Sequence, residues 1–340
     1  MTAFFVNLLT WINNMVGNYG WSIVVFTLLI RLVLLPLDIK SKKSMRAMTK
    51  IQPKVQALQK KYANDKDKLN QKTMELYRKE HVSPTAGCLP MLISLPILWI
   101  MFSAMRTLGN EYTIQMLLNM KETGKSLEIA DLRSMGYSWL WIKNVFQPDS
   151  FFATILPAVG SNLRMIQPVN GSAILTAENI NAALEFLRSS EYSAMASNLI
   201  PASAFTVQNI NFLFINTTLT IPNSIANLFQ YGNGLFILPL LAGGSQFFMT
   251  KIMNGKQTPE QKAAAEAAKT DQSNPMNSPI MKWLFPIFSV FICATSNAAF
   301  SIYWMAANVI QIVQQMAVNA YFDNLDKKEA AAKAALSIDD

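Results

Sequence analysis

The sequence predicts an all-α polytopic membrane protein: five transmembrane helices around a hydrophilic groove, with a cytoplasmic helical hairpin after the first. Three observations predict it. The 340 residues are 51% hydrophobic and only 15% charged, against about 25% charged in soluble domains. Five apolar runs, 18–37, 86–108, 234–253, 279–296 and 298–320, approach or reach the ~20 residues that cross a hydrocarbon core. The first run, from Gly20 to Leu37, holds a single charge, Arg31.

Residues 1–17 contain no charged side chain. They lack the basic region and small-residue cleavage site of a secretory signal. We expect an outer interfacial helix there, with Trp11 as its anchor. The first span is 18–38. A guanidinium within it costs about 2.5–3.5 kcal/mol on insertion scales. Arg31 stands nine residues before Lys40, roughly 13 Å along the axis. Its Cβ leans toward the helix N-terminus, away from that basic flank. Two placements answer the cost. One is an interfacial pair with Asp38, seven residues on and about 10 Å away along the axis. The sharper one is a hydrated cavity within the bilayer, the usual surroundings of an intramembrane charge.

Residues 39–83 carry thirteen Lys/Arg and four Asp/Glu. Met45, Met48, Ile51, Val55, Leu58 and Tyr62 recur at three- and four-residue spacing, an apolar stripe on a basic helix. Pro53 is expected to kink or restart it. Ala63 to Asp67 reads as a turn, and Leu69 to Glu80 as a second helix. The pair forms the cytoplasmic hairpin. The second span, 86–108, carries Pro90 and Pro96 with Ser94 and Ser103. The extracytoplasmic region 109–233 is poor in Lys and Arg. In it Ser138 to Ile142 resembles an aromatic anchor, and 177–198 an amphipathic helix. Residues 199–233 fit no assignment. The third span, 234–253, holds Gly243-Gly244-Ser245-Gln246, small and polar enough for close packing or a cavity wall. A cytoplasmic loop, 254–278, precedes the fourth span, 279–296, and the fifth, 298–322. Ser296-Asn297 separates the last two as a tight hairpin. The cytoplasmic tail is 323–340. The basic flanks set the N-terminus outside and the C-terminus in the cytoplasm. They explain the net charge of +8 by topology and anionic lipid, with no nucleic-acid partner.

Enzyme chemistry is not expected. Gly124-Lys125-Ser126 ends like a phosphate loop, but Asn119 occupies the place of its first glycine. The lone histidine, His81, and the two cysteines, Cys88 and Cys293, make no metal set. No cofactor is expected.

Several stretches together resemble the YidC-type membrane protein insertases and the mitochondrial and chloroplast insertases related to them. They are Ser22 to Leu37 with its arginine, Ile51 to Ala57, Met74 to Glu80, and Ser83 to Pro90. Trp139 to Lys143, Leu238-Pro239, and Ile302-Tyr303-Trp304 through Asn308 to Gln315 complete the set. The resemblance covers roughly 18–157 and 234–322. It implies a groove open to cytoplasm and lipid but closed outside, where Arg31 and Thr27 attract hydrophilic or acidic parts of a client. It implies that Tyr303 and Trp304 meet the client's sliding helix. Ser94, Ser103, Gln246 and Ser301 are the further polar groups expected on the client-binding groove. Nascent membrane proteins are the partners implied, in a bacterial inner membrane. A ribosome and a Sec-type translocon are further candidates. Residues 159–233 look like an insertion, with Phe212 to Pro222 as an alternative lead-in to the third span. A small-anion transporter or channel using the same arginine is the competing reading. Such a protein would show internal repeats with broken helices, which the sequence lacks.

Overall fold

The computed structural model describes residues 2–82, 89–157, 166–212, 215–253 and 279–336. Most of the described chain is helical. In order come α1 (Thr2–Val16), α2 (Tyr19–Lys61), α3 (Lys66–Lys79), α4 (Leu89–Thr123) and α5 (Ile129–Ser134). Then follow α6 (Ala177–Leu187), α7 (Ser190–Leu199), strands β1 (Phe205–Phe212) and β2 (Ile215–Pro222), α8 (Ile225–Tyr231) and α9 (Ile237–Met253). The last two helices are α10 (Pro279–Thr295) and α11 (Ala298–Leu336). The helical expectation holds over most of the described chain, with one addition. β1 and β2 form an antiparallel hairpin with Phe205 opposite Pro222 and Phe212 opposite Ile215. Within the stretch considered as a lead-in to the third span, Phe212 ends β1 and Ile215–Pro222 is strand. Its Thr- and Ile-rich alternation suits a pleated ribbon better than a helix.

The chain divides into two units. The first comprises 1–28, 100–248 and 282–309. It holds two packed regions. In one, Leu9 and Ile12 of α1 and Ile23 and Phe26 of α2 are buried, as are Met101, Met105 and Leu108 of α4. In the other, α4 continues past residue 108, the expected end of the second span, as far as Thr123. Ile114, Leu117 and Met120 of that extension bury against Leu132, Ile155, Ile180, Phe186 and Tyr192. This apolar face carries the helix onward. The amphipathic stretch 177–198 is two helices, because Ser189 accepts the backbone N–H of Tyr192 and starts a new one. Tyr192 donates its hydroxyl to the Pro157 carbonyl, 2.7 Å away.

The second unit comprises 29–99, 249–281 and 310–340. α2 runs unbroken through Pro36 and Pro53. An interior proline removes one ladder hydrogen bond, but buried Ile51 and Val55 flank Pro53 and keep the helix on course. Asp65 caps α3 by accepting the Lys68 N–H. Lys54 of α2 pairs with Glu80 at the end of α3, 2.6 Å apart, which ties the two arms. α11 continues through residue 323, where a separate tail was expected, to Leu336. The expected loop 254–278 and the stretch Ser83 to Cys88 lie outside the described residues.

Candidate functional site

α2 is the element that carries Arg31. Among the described residues its Tyr19–Met48 stretch is the one helix long and apolar enough to cross a membrane; Ile237–Met249 and Trp283–Thr295 are shorter apolar helices. Arg31 is half-buried in the second unit. Asp38, its nearest acidic neighbour in sequence, accepts a hydrogen bond from Gln314 Nε2 at 2.7 Å.

The remaining candidates fall in the first unit, apart from Ser94, whose side chain lies outside the described ones. Thr27 is buried and donates its hydroxyl to the Ile23 carbonyl at 2.6 Å. Ser301 is also buried and donates to the Cys293 carbonyl at 3.0 Å, across the α10–α11 hairpin. Both hydroxyls thus meet backbone acceptors. Tyr303 is buried, Trp304 and Gln246 are half-buried, and Ser103 is exposed. The Trp304 ring packs edge-on to Phe300, 5.5 Å between centroids. Its buried Nε1 has no hydrogen-bond partner. Asn308 of α11 donates to Ser245 of α9 at 3.1 Å, a polar contact between two apolar helices of the kind that joins membrane helices. A Cβ on Gly243 would stand 2.4 Å from Val290 Cγ2, so this glycine allows α9 and α10 to touch.

The outward faces of these helices are apolar. Trp283, Leu284, Phe285, Ile287, Phe288 and Phe291 of α10 are all exposed. Leu240, Leu241, Phe247 and Phe248 of α9 and Trp21, Val25 and Leu28 of α2 are exposed as well. Such a surface is unlike that of a monomeric water-soluble protein.

Sequence reasoning missed a buried polar knot that seats α8, α9 and α11. Asp149 is fully buried. It accepts the N–H groups of Phe236 at 2.9 Å and Leu238 at 2.7 Å, and Trp141 Nε1 at 3.3 Å. A carboxylate on the first free N–H groups of α9 also answers the helix dipole. Asn233, equally buried, accepts from the Asn144 N–H and donates to the Asn144, Gln147 and Pro148 carbonyls. Lys143 donates to the Phe229, Gln230 and Gly232 carbonyls at 2.7, 3.0 and 2.9 Å, at the C-terminal end of α8. Burial holds its ammonium below the ordinary lysine pKa. The N–H groups of Ala298 and Ala299 donate to the Gln147 and Val145 carbonyls, and that of Phe300 to Asn297 Oδ1. Nearby, Tyr19, Tyr112, Tyr137 and Phe146 form a ring cluster, with the Tyr19 and Tyr112 hydroxyls hydrogen-bonded. In the sequence, Trp141 and Lys143 stand out only within the aromatic stretch Ser138 to Lys143, and Asn233-Gly234 only as a turn doublet.

Comparison with known proteins follows the same outline. The relatives include proteins named membrane protein insertase YidC. That of Fusobacterium nucleatum is 50% identical over 107 residues, 32% of this chain and 52% of the relative. That of Bordetella petrii is 35% identical over 154 residues, 45% of this chain and 23% of the relative. That of Chlorobaculum tepidum is 26% identical over 325 residues, 96% of this chain and 37% of the relative. The matches thus span between about a quarter and a half of the relatives' length. A crystal structure described as an active YidC insertase with the first transmembrane domain resolved is similar at 18% identity. Its TM-score is 0.41, over 92% of this chain and 44% of that one. The profile of the 60Kd inner membrane protein family matches residues 11–206 and 189–327, and the chain belongs to this family.

Proposed function

We propose that this chain is an energy-independent membrane protein insertase and chaperone of a bacterial inner membrane. It draws hydrophilic or acidic parts of client proteins into an intramembrane groove and releases their transmembrane segments into lipid. The reading supposes five spans, 18–38, 86–108, 234–253, 279–296 and 298–322, with the N-terminus outside and the C-terminus in the cytoplasm. Its client-binding residues are Arg31, Thr27, Ser94, Ser103, Gln246, Ser301, Tyr303 and Trp304. Nascent membrane proteins are its partners; a ribosome, a Sec-type translocon and anionic lipid join the list.

The observation that carries this reading is Arg31, kept in the middle of the apolar α2. Family membership supports it, as do the relatives named insertases and the exposed apolar faces of α9 and α10. A guanidinium at that depth is costly to insert, and it attracts charge of the opposite sign at low dielectric.

Arg31→Ala should cut insertion of clients with short acidic tails tenfold or more, a loss of about 1.4 kcal/mol or greater. Arg31→Lys should keep much of the activity. The measurement is protease protection of the client's translocated tail in proteoliposomes. Insertion unchanged by Arg31→Ala for every such client would remove the charge from the mechanism. Photoreactive residues at Tyr303, Trp304 and Thr27 should crosslink to a client's transmembrane segment. Thr27 is buried, so contact through it would report an opened state. A small-anion transporter would give no crosslink and would move anions in the same vesicles.

A further inference from the structure

We propose that the Phe322–Asp326 turn of α11 is a built-in pseudo-ligand that occupies a cationic docking site for acidic client segments on α2. This proposal rests on the insertase reading. Its site is Arg46, four turns beyond Arg31 toward the cytoplasm, with Lys42 one turn before it.

The geometry is specific. Arg46 Nη2 lies 2.5 Å from Asp323 Oδ1 and 2.9 Å from Asp326 Oδ2. The two carboxylates are three residues apart, on one face of α11. The Arg46 guanidinium carbon lies 5.3 Å from the centre of the Phe322 ring, within cation–π range. One segment, Phe-Asp-Asn-Leu-Asp, thus supplies an aromatic platform and two anions to one arginine. Lys42, half-buried, adds positive charge to the same spot through its Coulomb coupling to Arg46 and Asp323.

The contact is built to be displaced. Arg46 is the sheltered partner at 26% exposure, while Asp323 and Asp326 remain 62% and 43% exposed. Ion pairs with such open carboxylates are weak and salt-screened. Arg46 Nη1 is buried with no hydrogen-bond partner, although a guanidinium has five donors to spend. A segment that brought a better-placed carboxylate would satisfy this nitrogen and win the site. The fitting ligand is an acidic helix or tail with an aromatic residue beside two carboxylates. Its carboxylates are the chemistry the proposed mechanism expects of a client's acidic parts; the aromatic residue is what this site adds. The clasp would then hold the basic root of the hairpin covered until a client arrives.

The test uses the full chain in nanodiscs of zwitterionic lipid. The probe is a labelled synthetic peptide copying residues 318–326, which carries both aspartates and no lysine, alongside the same peptide with both aspartates replaced by asparagine. D323N/D326N in the protein should bind the acidic peptide about three- to tenfold more tightly than wild type, the scale of two partly exposed pairs. R46Q should lose that gain in the triple variant. Added salt should weaken binding, and the asparagine peptide should bind poorly to all. Equal affinity for wild type and D323N/D326N, or for the two peptides, overturns the proposal. So does loss of peptide binding when anionic lipid enters the nanodisc at constant salt, since lipid is then the occupant. The charge swap R46D/D323R/D326R guards against misfolding: it should restore the clasp and prefer a basic peptide, and preference for the acidic peptide counts against the site. Insertion assays separate the two readings. A peptide pattern as expected with insertion indifferent to Arg31→Ala would sink the insertase reading and leave the clasp as an anion site. The reverse would sink the clasp alone.

Discussion

Removing the Asp149 carboxylate should strongly destabilise the first unit. Asp149→Ala deletes the acceptor of two backbone N–H groups at the start of α9, Phe236 at 2.9 Å and Leu238 at 2.7 Å. The longer Trp141 contact, 3.3 Å, goes with it. Loss of a helix cap costs typically ~1 kcal/mol. The site is fully closed to solvent, so the second N–H stays unsatisfied at a cost of about 1–3 kcal/mol. The sum is about 2–4 kcal/mol. Asp149→Asn keeps one acceptor oxygen and should lose roughly half of that. Room for relaxation is scarce: a Cβ on Gly234 would fall 2.0 Å from Asp149 Oδ1, and Phe236 already holds φ at +61°. Reversible unfolding in mixed detergent micelles would read the difference. A stability for Asp149→Ala within 0.5 kcal/mol of wild type would refute the reasoning, as would Asn equal to Ala.

Two further outcomes follow from the same unit. Gly20→Val should prevent normal seating of Trp139 on α2, because a Cβ at residue 20 would stand 2.1 Å from the indole; a shift in tryptophan fluorescence and a cost of about 2 kcal/mol or more are expected, and an unchanged spectrum would count against it. Lys143, held below the ordinary lysine pKa by burial, binds fewer protons folded than unfolded in the alkaline window between its lowered pKa and the ordinary value. Stability should therefore rise with pH across that window, and Lys143→Met should remove the rise while weakening the α8 end; a pH titration of unfolding checks the sign.

The helical elements were legible where apolar residues recur, because burial and period coincide along α2, α9, α10 and α11. Helix ends were less legible. α4 continues to Thr123 because Ile114, Leu117 and Met120 find a core to which α6 and α7 also contribute, a partnership no local window contains. α11 passes residue 322 because Lys327 to Leu336 is made almost wholly of strong helix formers, Ala, Lys, Glu and Leu, which an apolar-run criterion does not register. The hairpin β1–β2 escaped because its strands carry as many Asn and Thr as apolar residues. Of the candidate site, Arg31 could be read from its cost alone. Thr27 and Ser301 were polar letters in apolar runs, yet each hydroxyl meets a backbone carbonyl. Asp149 and Asn233 went unnoticed because polar residues in a polar loop give no sign of being buried.

The start of α11 is held by a seat made elsewhere. Ala298 and Ala299 hang from the Gln147 and Val145 carbonyls, and Asn297 donates to Met105 across 192 positions of sequence. All three acceptors leave the ribosome long before the donors exist. The final helix therefore has nothing to nucleate until it reaches a berth already finished by α4 and the loop behind it. These contacts make the seating of α11 depend on chain synthesised well before it. A circular permutant opening at Ser296 would present the donors before the berth is built, and its yield would measure how much that order is worth.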